Sequence, residues 1–221
     1  MVSPLIVQPI AKPVGERRVV FQGLDWQRYQ TIRQAFGDRR AARFVYDRGV
    51  LEVTMPLEDH EFAVRMIELF IRVLVVELGL KLKTMGSTTL DRQVLDRSAE
   101  PDNAYYIKNQ GAVAGRNVDL ERDPPPDLVV EVDITHTDID KLRFYASLGV
   151  PEFWRYNGEY WRIYALQNGI YAEVDASATF PLVPKETLYG FLAQARQDEV
   201  AAELGLRGWV QQALGDEGDR A

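Results

Sequence analysis

The sequence predicts a mixed α/β (α+β) fold built in layers. Three observations carry this. Helical and strand-like hydrophobic periods alternate along the chain in the order helix, strands, long helix, strands, helix, strands, helix. Two turn signals, Asp47-Arg48-Gly49 and Asn157-Gly158, each join a pair of β-prone runs. Finally, 46% of the 221 residues are hydrophobic, enough to bury the core of one domain with extensions.

The elements follow in order. Residues 1–20 are Pro-containing, lack a clear period and read as an extended arm. Leu24 to Phe36 has apolar residues at helical spacing. "RFVYDRGVLEVTMP" reads as a hairpin. A long helix follows, with Phe62, Val64, Met66, Ile67, Leu69, Phe70, Val73 and Leu74 on a wide apolar face and Gly79 as its stop. "KTMGSTTLDRQ" and "PDNAYYI" read as strands, and Gln110 to Asp123 as a polar loop. Leu128 to Ile134 is a strand, and His136 to Leu148 a helix ended by Gly149 and Pro151. "EFWRYN" and "YWRIYAL" form a second hairpin, with "GIYAEV" as a further strand. Glu186 to Gln212 is helical in pattern, as two helices around Gly205, and the terminal "GDEGDRA" is expected to fray.

Composition excludes several function classes. No segment approaches the roughly 20 apolar residues of a membrane span, and the first residues lack the pattern of a secretory signal. There is no cysteine, which rules out disulfides and thiolate metal sites and fits a reducing, cytoplasmic setting. With His60 and His136 the only histidines, a three-histidine site is excluded as well. Any metal must be held mainly by oxygen, which favours Mg²⁺, Mn²⁺ or Ca²⁺. The net charge of −7 argues against a general nucleic-acid coat protein, but says little about one cleft.

"PPPDLVVEVDITHTDIDKLRFY" carries the most chemistry. Alternation puts Leu128, Val130, Val132 and Ile134 on one face of the strand, and Asp127, Val129, Glu131 and Asp133 on the other. A buried unpaired carboxylate costs several kcal/mol, so solvent, a cation or a metal must compensate. Strand rise separates Asp127 from Glu131 by about 13 Å, too far to share an ion, but leaves Glu131 and Asp133 about 6–7 Å apart. Glu131 is therefore the centre, and Asp127 reads as structural. The same pattern also fits a solvent-facing polar strand face.

Thr135 and Asp138 have the spacing of a capping box, which places Lys141 in the second helical turn, able to fold back onto the carboxylates. It also fits an exposed lysine paired with Asp138. "EPDNAYYI" adds Asp102 at another strand start. Two carboxylates on separate strands can hold a hard divalent cation. Such an ion activates water and polarises a phosphoryl oxygen, and a lysine stabilises the developing charge. That combination is the chemistry of phosphodiester hydrolysis.

The succession "EPDNAYYI", "PPPDLVVEVDIT" and "DKLRFYASLGVPEFWRYNG", with "YDRGVLEVTMP" and "EDHE" before it, resembles the Uma2 family (DUF820). These are predicted endonucleases of the restriction-endonuclease-like PD-(D/E)xK superfamily. The similarity runs from about Arg43 to Leu166. It implies a restriction-endonuclease-like core, with a central mixed sheet flanked by helices, over residues 23–185. Residues 1–22 are then an N-terminal arm and 186–221 a C-terminal helical extension. It further implies Mg²⁺ (Mn²⁺ as substitute), DNA as substrate and a homodimer.

Carried over by residue, the resemblance makes Asp102 and Glu131 the metal ligands and Lys141, supplied from the helix, the catalytic lysine. Glu61 is the acid on the first core helix, with His60 beside it. The superfamily lysine position is occupied here by Asp133, a departure from the motif that leaves a water-positioning group, an extra ligand or lost activity as readings. The second hypothesis is accordingly a catalytically inactive nuclease-fold protein that binds nucleic acid or a protein partner. A carboxylate-pair glycosidase is a third class, but that mechanism needs no lysine. Aromatics of the second hairpin (Trp154, Tyr156, Tyr160, Trp161, Tyr164) fit base stacking or sheet packing. Arg39, Arg40, Arg43 and Arg48 fit phosphate contacts or a solvated turn.

Overall fold

Local sequence decides most element boundaries in the computed structural model of the chain, which describes residues 16–37, 42–86, 88–134 and 139–218. The chain runs through β1 (Glu16–Gln22), α1 (Trp26–Phe36), β2 (Arg43–Asp47), β3 (Val50–Pro56), α2 (Glu58–Glu77), β4 (Lys83–Thr84), β5 (Leu90–Arg92), β6 (Arg97–Ala99), β7 (Asn103–Tyr106) and α3 (Gln110–Val113). It continues through β8 (Leu128–Val132), α4 (Lys141–Leu148), β9 (Glu152–Tyr156), β10 (Trp161–Gln167), β11 (Ile170–Val174), α5 (Lys185–Ala195) and α6 (Glu199–Gly218). Asp25 caps α1 by accepting from the Arg28 N–H at 2.8 Å. Arg48 and Gly49 have φ of 43° and 97°, the left-handed pair that a two-residue hairpin turn favours, so β2 and β3 pair tightly. Three acids, Glu58, Asp59 and Glu61, occupy the first turn of α2, where the helix dipole favours them.

Two sheets result. The first has the order β1-β3-β2-β6-β5 and is antiparallel throughout. The second has the order β11-β10-β9-β8-β7-β4; β8 and β9 are parallel and joined through α4, and its other pairs are antiparallel. This is the mixed sheet that the resemblance implied, with helices on one face and α4 together with the first sheet on the other. One face of the second sheet (Leu128, Val130, Val132, Trp154, Ile163) packs on α2, α5 and α6. Its other face (Ala104, Val129, Phe153, Tyr164) packs on α4 and on Val45, Leu90 and Ala99 of the first sheet. The far face of the first sheet is closed by α1, where Tyr29 stacks on Tyr46 with ring centroids 4.7 Å apart. Among the described residues no helix is long and apolar enough to cross a membrane.

The structure redraws several elements. Glu16–Gln22, read as part of an extended arm, is β1, an edge strand paired with β3. Its run of charges followed by Val19, Val20 and Phe21 lacks the alternation that marks a strand. "KTMGSTTLDRQ" holds two short strands in different sheets, and β6 and α3 had no sequence signal. The C-terminal helices break at 196–198. Asp198 accepts from the N–H groups of Val200 and Ala201, at 3.0 Å each, and so starts α6. Gly205 lies within that helix and serves close packing: a Cβ there would lie 3.3 Å from Gln194 Oε1 of α5. α6 runs to Gly218, and residues 219–221 of the expected fray lie outside the described residues.

Asp127 is structural, as spacing suggested. Its carboxylate accepts from the Ile107 and Asn109 N–H groups (2.7 and 2.9 Å) and from Asn109 Nδ2 (2.7 Å), closing the turn after β7. Glu152 on β9 plays a similar part and was not singled out from sequence. It accepts from Trp154 Nε1 (2.5 Å), the Thr179 N–H (3.0 Å) and Thr179 Oγ1 (2.8 Å), tying the segment before α5 to the sheet. Glu152→Ala strands a buried indole N–H and is expected to cost about 2–4 kcal/mol in denaturant unfolding. Glu152→Gln, which keeps an acceptor, should cost less.

Candidate metal and catalytic site

The site lies where the two sheets meet. "Glu100-Pro101-Asp102" is the strap from β6 in the first sheet to β7 in the second. The antiparallel register, Asn103 opposite Val130, sets Asp102 opposite Glu131 at the end of the ladder. Asp102 Oδ2 accepts from the Val132 N–H at 2.6 Å, which fixes the carboxylate against β8. Alternation does the rest in the first sheet: Arg43 and Val45 of β2, Glu52 and Thr54 of β3, and Arg18 of β1 turn towards the second sheet. Together with His60, Glu100, Asp102, Glu131 and Lys141 they line a cavity of about 20 Å³, room for roughly one water-sized occupant.

The polar face of β8 is not solvent-exposed. α4 covers it, and Glu131 and Asp133 are each 3% exposed. The compensating charge is Lys141, itself buried, whose Nζ lies 2.9 Å from Glu131 Oε2 and 2.5 Å from Asp133 Oδ1. The helix begins later than expected. Lys141 is its first residue, and Asp140 is the cap, accepting from the Arg143 N–H at 3.1 Å. Lysine at a helix N-terminus opposes the dipole, so the two carboxylates hold it there. Thr135, His136 and Asp138, the expected capping box with its histidine, lie outside the described residues, as do Arg39 and Arg40.

Further partners complete the network. Tyr145, one turn after Lys141, donates to Glu131 Oε1. Arg155 Nε lies 3.0 Å from Asp133 Oδ2, and Arg18, which pairs with Glu52, lies 3.8 Å from Asp133 Oδ1. Arg43 pairs with Asp102 and reaches Glu61 at 3.2 Å. His60 Nε2 lies 3.3 Å from Asp102 Oδ1. Glu61 stands at the rim, its side chain 39% exposed. So the structure gathers Asp102, Glu131, Lys141, Asp133 and His60 around one buried spot, with Glu61 at its edge. Sequence reasoning passed over Arg18, Glu52, Glu100, Tyr145 and Arg155. One signal was available: "LEVT" repeats the apolar-acidic alternation of "VVEV".

Charge explains the protonation states. Burial pushes Glu131 up, and the lysine offsets only part of this. Burial would raise Asp133 too, but Lys141, Arg155 and Arg18 carry it below the ordinary carboxylate range. Lys141 is held charged: Asp133 and Glu131 outweigh the desolvation that would lower it. Burial, then Glu131, pushes Tyr145 far up, so its hydroxyl stays a donor. Burial, with Arg43 beside it, lowers His60 to about 4, leaving a neutral imidazole at pH 7.

Among the described residues, five buried carboxylates (Glu52, Glu100, Asp102, Glu131, Asp133) face four cationic side chains (Arg18, Arg43, Lys141, Arg155). That is one carboxylate more than there are cations. No three His, Cys, Asp or Glu side chains among them converge to ligate one ion unaided. An oxygen pair suits Mg²⁺, which commonly takes one or two carboxylates and fills its shell with water and phosphate oxygens. The donor chemistry of Asp102 and Glu131 therefore fits such an ion.

Two outcomes follow. Lys141→Met leaves two buried carboxylates short of a cation and should cost about 3–5 kcal/mol in denaturant unfolding at pH 7. His60 has a folded pKa below its ordinary value, so stability is full above pH 6.5 and falls as pH drops towards 4, where only the unfolded chain binds that proton. The loss is about 3 kcal/mol, and His60→Gln should flatten this part of a stability-versus-pH curve recorded with EDTA present.

No curated protein matches the chain. The model of the Uma2 family, described as "Putative restriction endonuclease", matches residues 26–211. The match takes in every element from α1 to most of α6, and with them Asp102, Glu131 and Lys141. Membership fits the mixed sheet flanked by helices, the architecture expected of a restriction-endonuclease-like core. The chain belongs to the Uma2 family of restriction-endonuclease-like proteins.

Proposed function

We propose that this protein is a divalent-metal-dependent DNA endonuclease, with Mg²⁺ as its ion and Mn²⁺ as a substitute. The observation that carries the reading is Asp102 standing opposite Glu131 in a small cavity to which α4 delivers a buried, charged lysine. Family membership supports a nuclease.

Asp102 and Glu131 would hold the cation, which when bound supplies polarisation of a phosphoryl oxygen and a more acidic water. The residues of the chain do the rest. Lys141 stabilises negative charge developing on the phosphate, or orients the attacking water. Asp133 and Arg155 fix the lysine's position. Neutral His60 and the Val132 N–H fix Asp102. Arg43, pairing with Asp102 and Glu61 at the rim, is a cation available to a DNA phosphate. This makes Asp133 a positioning group, and the lysine has moved from the strand to the helix. A homodimer acting in the cytoplasm completes the reading; the family resemblance supports the dimer, and the absence of cysteine fits the compartment.

The test is cleavage of plasmid and oligonucleotide DNA with Mg²⁺ or Mn²⁺. Glu131→Gln, nearly isosteric, is expected to lower cleavage at least a hundredfold while the protein remains folded. Full activity in that variant would remove Glu131 from the site. Absence of cleavage with either ion, together with no Mn²⁺ shift of the melting temperature, would favour the inactive nuclease-fold alternative, in which the same ion pairs only brace the two sheets.

A further inference from the structure

We propose that the pocket between α2, α5 and the β9–β10 turn is a nucleobase subsite. It would take one unpaired base of the strand whose phosphate meets Asp102 and Glu131, so this inference rests on the nuclease reading. The pocket measures about 220 Å³ and is lined by Asp59, Phe62, Tyr156, Tyr189, Leu192 and Arg196, among others. That is below the roughly 300–1,000 Å³ of pockets for drug-sized ligands, and suits one small planar group.

Position argues for a base. Asp59 of the pocket immediately precedes His60 of the candidate site, and Ile134 of the pocket immediately follows Asp133. The first turn of α2 and the end of β8 thus form a wall common to both cavities. Alternation turns Ile134 to the α2 and α5 side and Glu131 and Asp133 to the other, so the two cavities lie on opposite sides of the end of β8, and a strand reaching both would pass round that end.

The lining supplies the chemistry. The Arg196 guanidinium lies over the Phe62 ring at 4.3 Å and pairs with Asp59 at 2.9 Å. Tyr156 donates its hydroxyl to the Gly158 carbonyl (2.8 Å), and the Tyr189 hydroxyl accepts from the Trp161 N–H (2.7 Å). Both hydroxyls are engaged with backbone, so the tyrosines offer rings. Stacking surfaces of aromatic and guanidinium planes are what single-stranded nucleic acid uses, whatever the base. The Asp59 carboxylate adds an acceptor for an exocyclic amino group. Gly158, at φ +92°, turns β9 into β10 without a side chain that would occupy the space beside Ile134. A base inside a duplex cannot enter, so the subsite selects unpaired or extruded nucleotides. Of the hairpin aromatics, Trp154, Trp161 and Tyr164 are buried in sheet packing; Tyr156 is the one that reaches this pocket.

The experiment compares the binding of a short fluorescent single-stranded oligodeoxynucleotide with that of the same strand carrying abasic residues, in Ca²⁺ to suppress cleavage. Ala193→Trp fills the pocket from an exposed position on α5, and Arg196→Ala removes a stacking plane should the tryptophan disturb folding. Both are expected to weaken the intact strand about tenfold and to leave the abasic strand unchanged. Equal affinity of wild type and both folded variants for the intact strand overturns the subsite, as does wild-type protein that binds no oligonucleotide, which would point to a protein side chain as occupant. Base-dependent binding that survives Glu131→Gln supports the subsite. If that binding is found without cleavage under Mg²⁺ or Mn²⁺, the nuclease reading fails and the subsite stands. Cleavage with unaltered binding in the variants gives the reverse.

Discussion

The rest of the site depends on one buried cation. Lys141 sits at the first position of α4, where the helix dipole opposes it, and is out of water, where desolvation opposes it again. Glu131 of β8 and Asp133 just after it make that position tolerable. The dependence is mutual, because Lys141 is the largest influence carrying Asp133 below the ordinary carboxylate range and offsets part of the burial that raises Glu131. The pairing therefore fixes where α4 starts and how it docks, and α4 is the connection that carries the chain from β8 to the parallel strand β9. The charge arrangement is uneven: Asp133 also draws on Arg155 and Arg18, whereas Glu131 shares the lysine and, among the described residues, receives the Tyr145 hydroxyl besides. Of these two, Glu131 is consequently held by less positive charge, and a further cation would stabilise it more.

The second constraint is the three-residue strap between the sheets. Glu100 accepts from the Phe44 N–H at 3.1 Å on the first sheet, and Asp102 accepts from the Val132 N–H on the second. A proline stands between them, narrowing the backbone's freedom. Acidic side chains thus stitch two sheets together at the cavity, and the same contacts that brace the sheets orient Asp102. Structural and proposed catalytic demands coincide here, so substitutions at this strap are read properly only with stability measured beside activity.

Elements with a strong local signal were legible in the sequence. The hairpins at Gly49 and Gly158, the apolar face of α2 and the apolar face of β8 all follow from a period plus a turn residue. β1 and β6 were not, because their pairing is set by distant strands and their residues do not alternate. The start of α4 was misplaced because Thr135 and Asp138 offer a cap by spacing, whereas Asp140 caps the helix, held in place by the burial of Lys141 next to it. For the site, alternation singled out Glu131, and the Pro-Asp pair pointed to Asp102. Arg18 was out of reach, since its part depends on the first sheet folding over β8 and no local pattern encodes that contact; the alternation of "LEVT" marks Glu52 as a candidate but not its partner.

Asp133 illustrates how a departure from a motif can be a geometric consequence. A lysine two residues after Glu131 on the same strand would share its face, and the strand backbone would hold it there. A lysine arriving from a helix has no such support; it needs an anchor of opposite charge at the place the strand lysine would have filled. Position 133 is that place, and Asp133 contacts the ammonium at 2.5 Å while Arg155 braces it from the neighbouring strand. The aspartate and the helix-borne lysine are therefore one feature, each requiring the other. A sequence with an acid at this strand position and no lysine at the start of the next helix would bury an uncompensated charge.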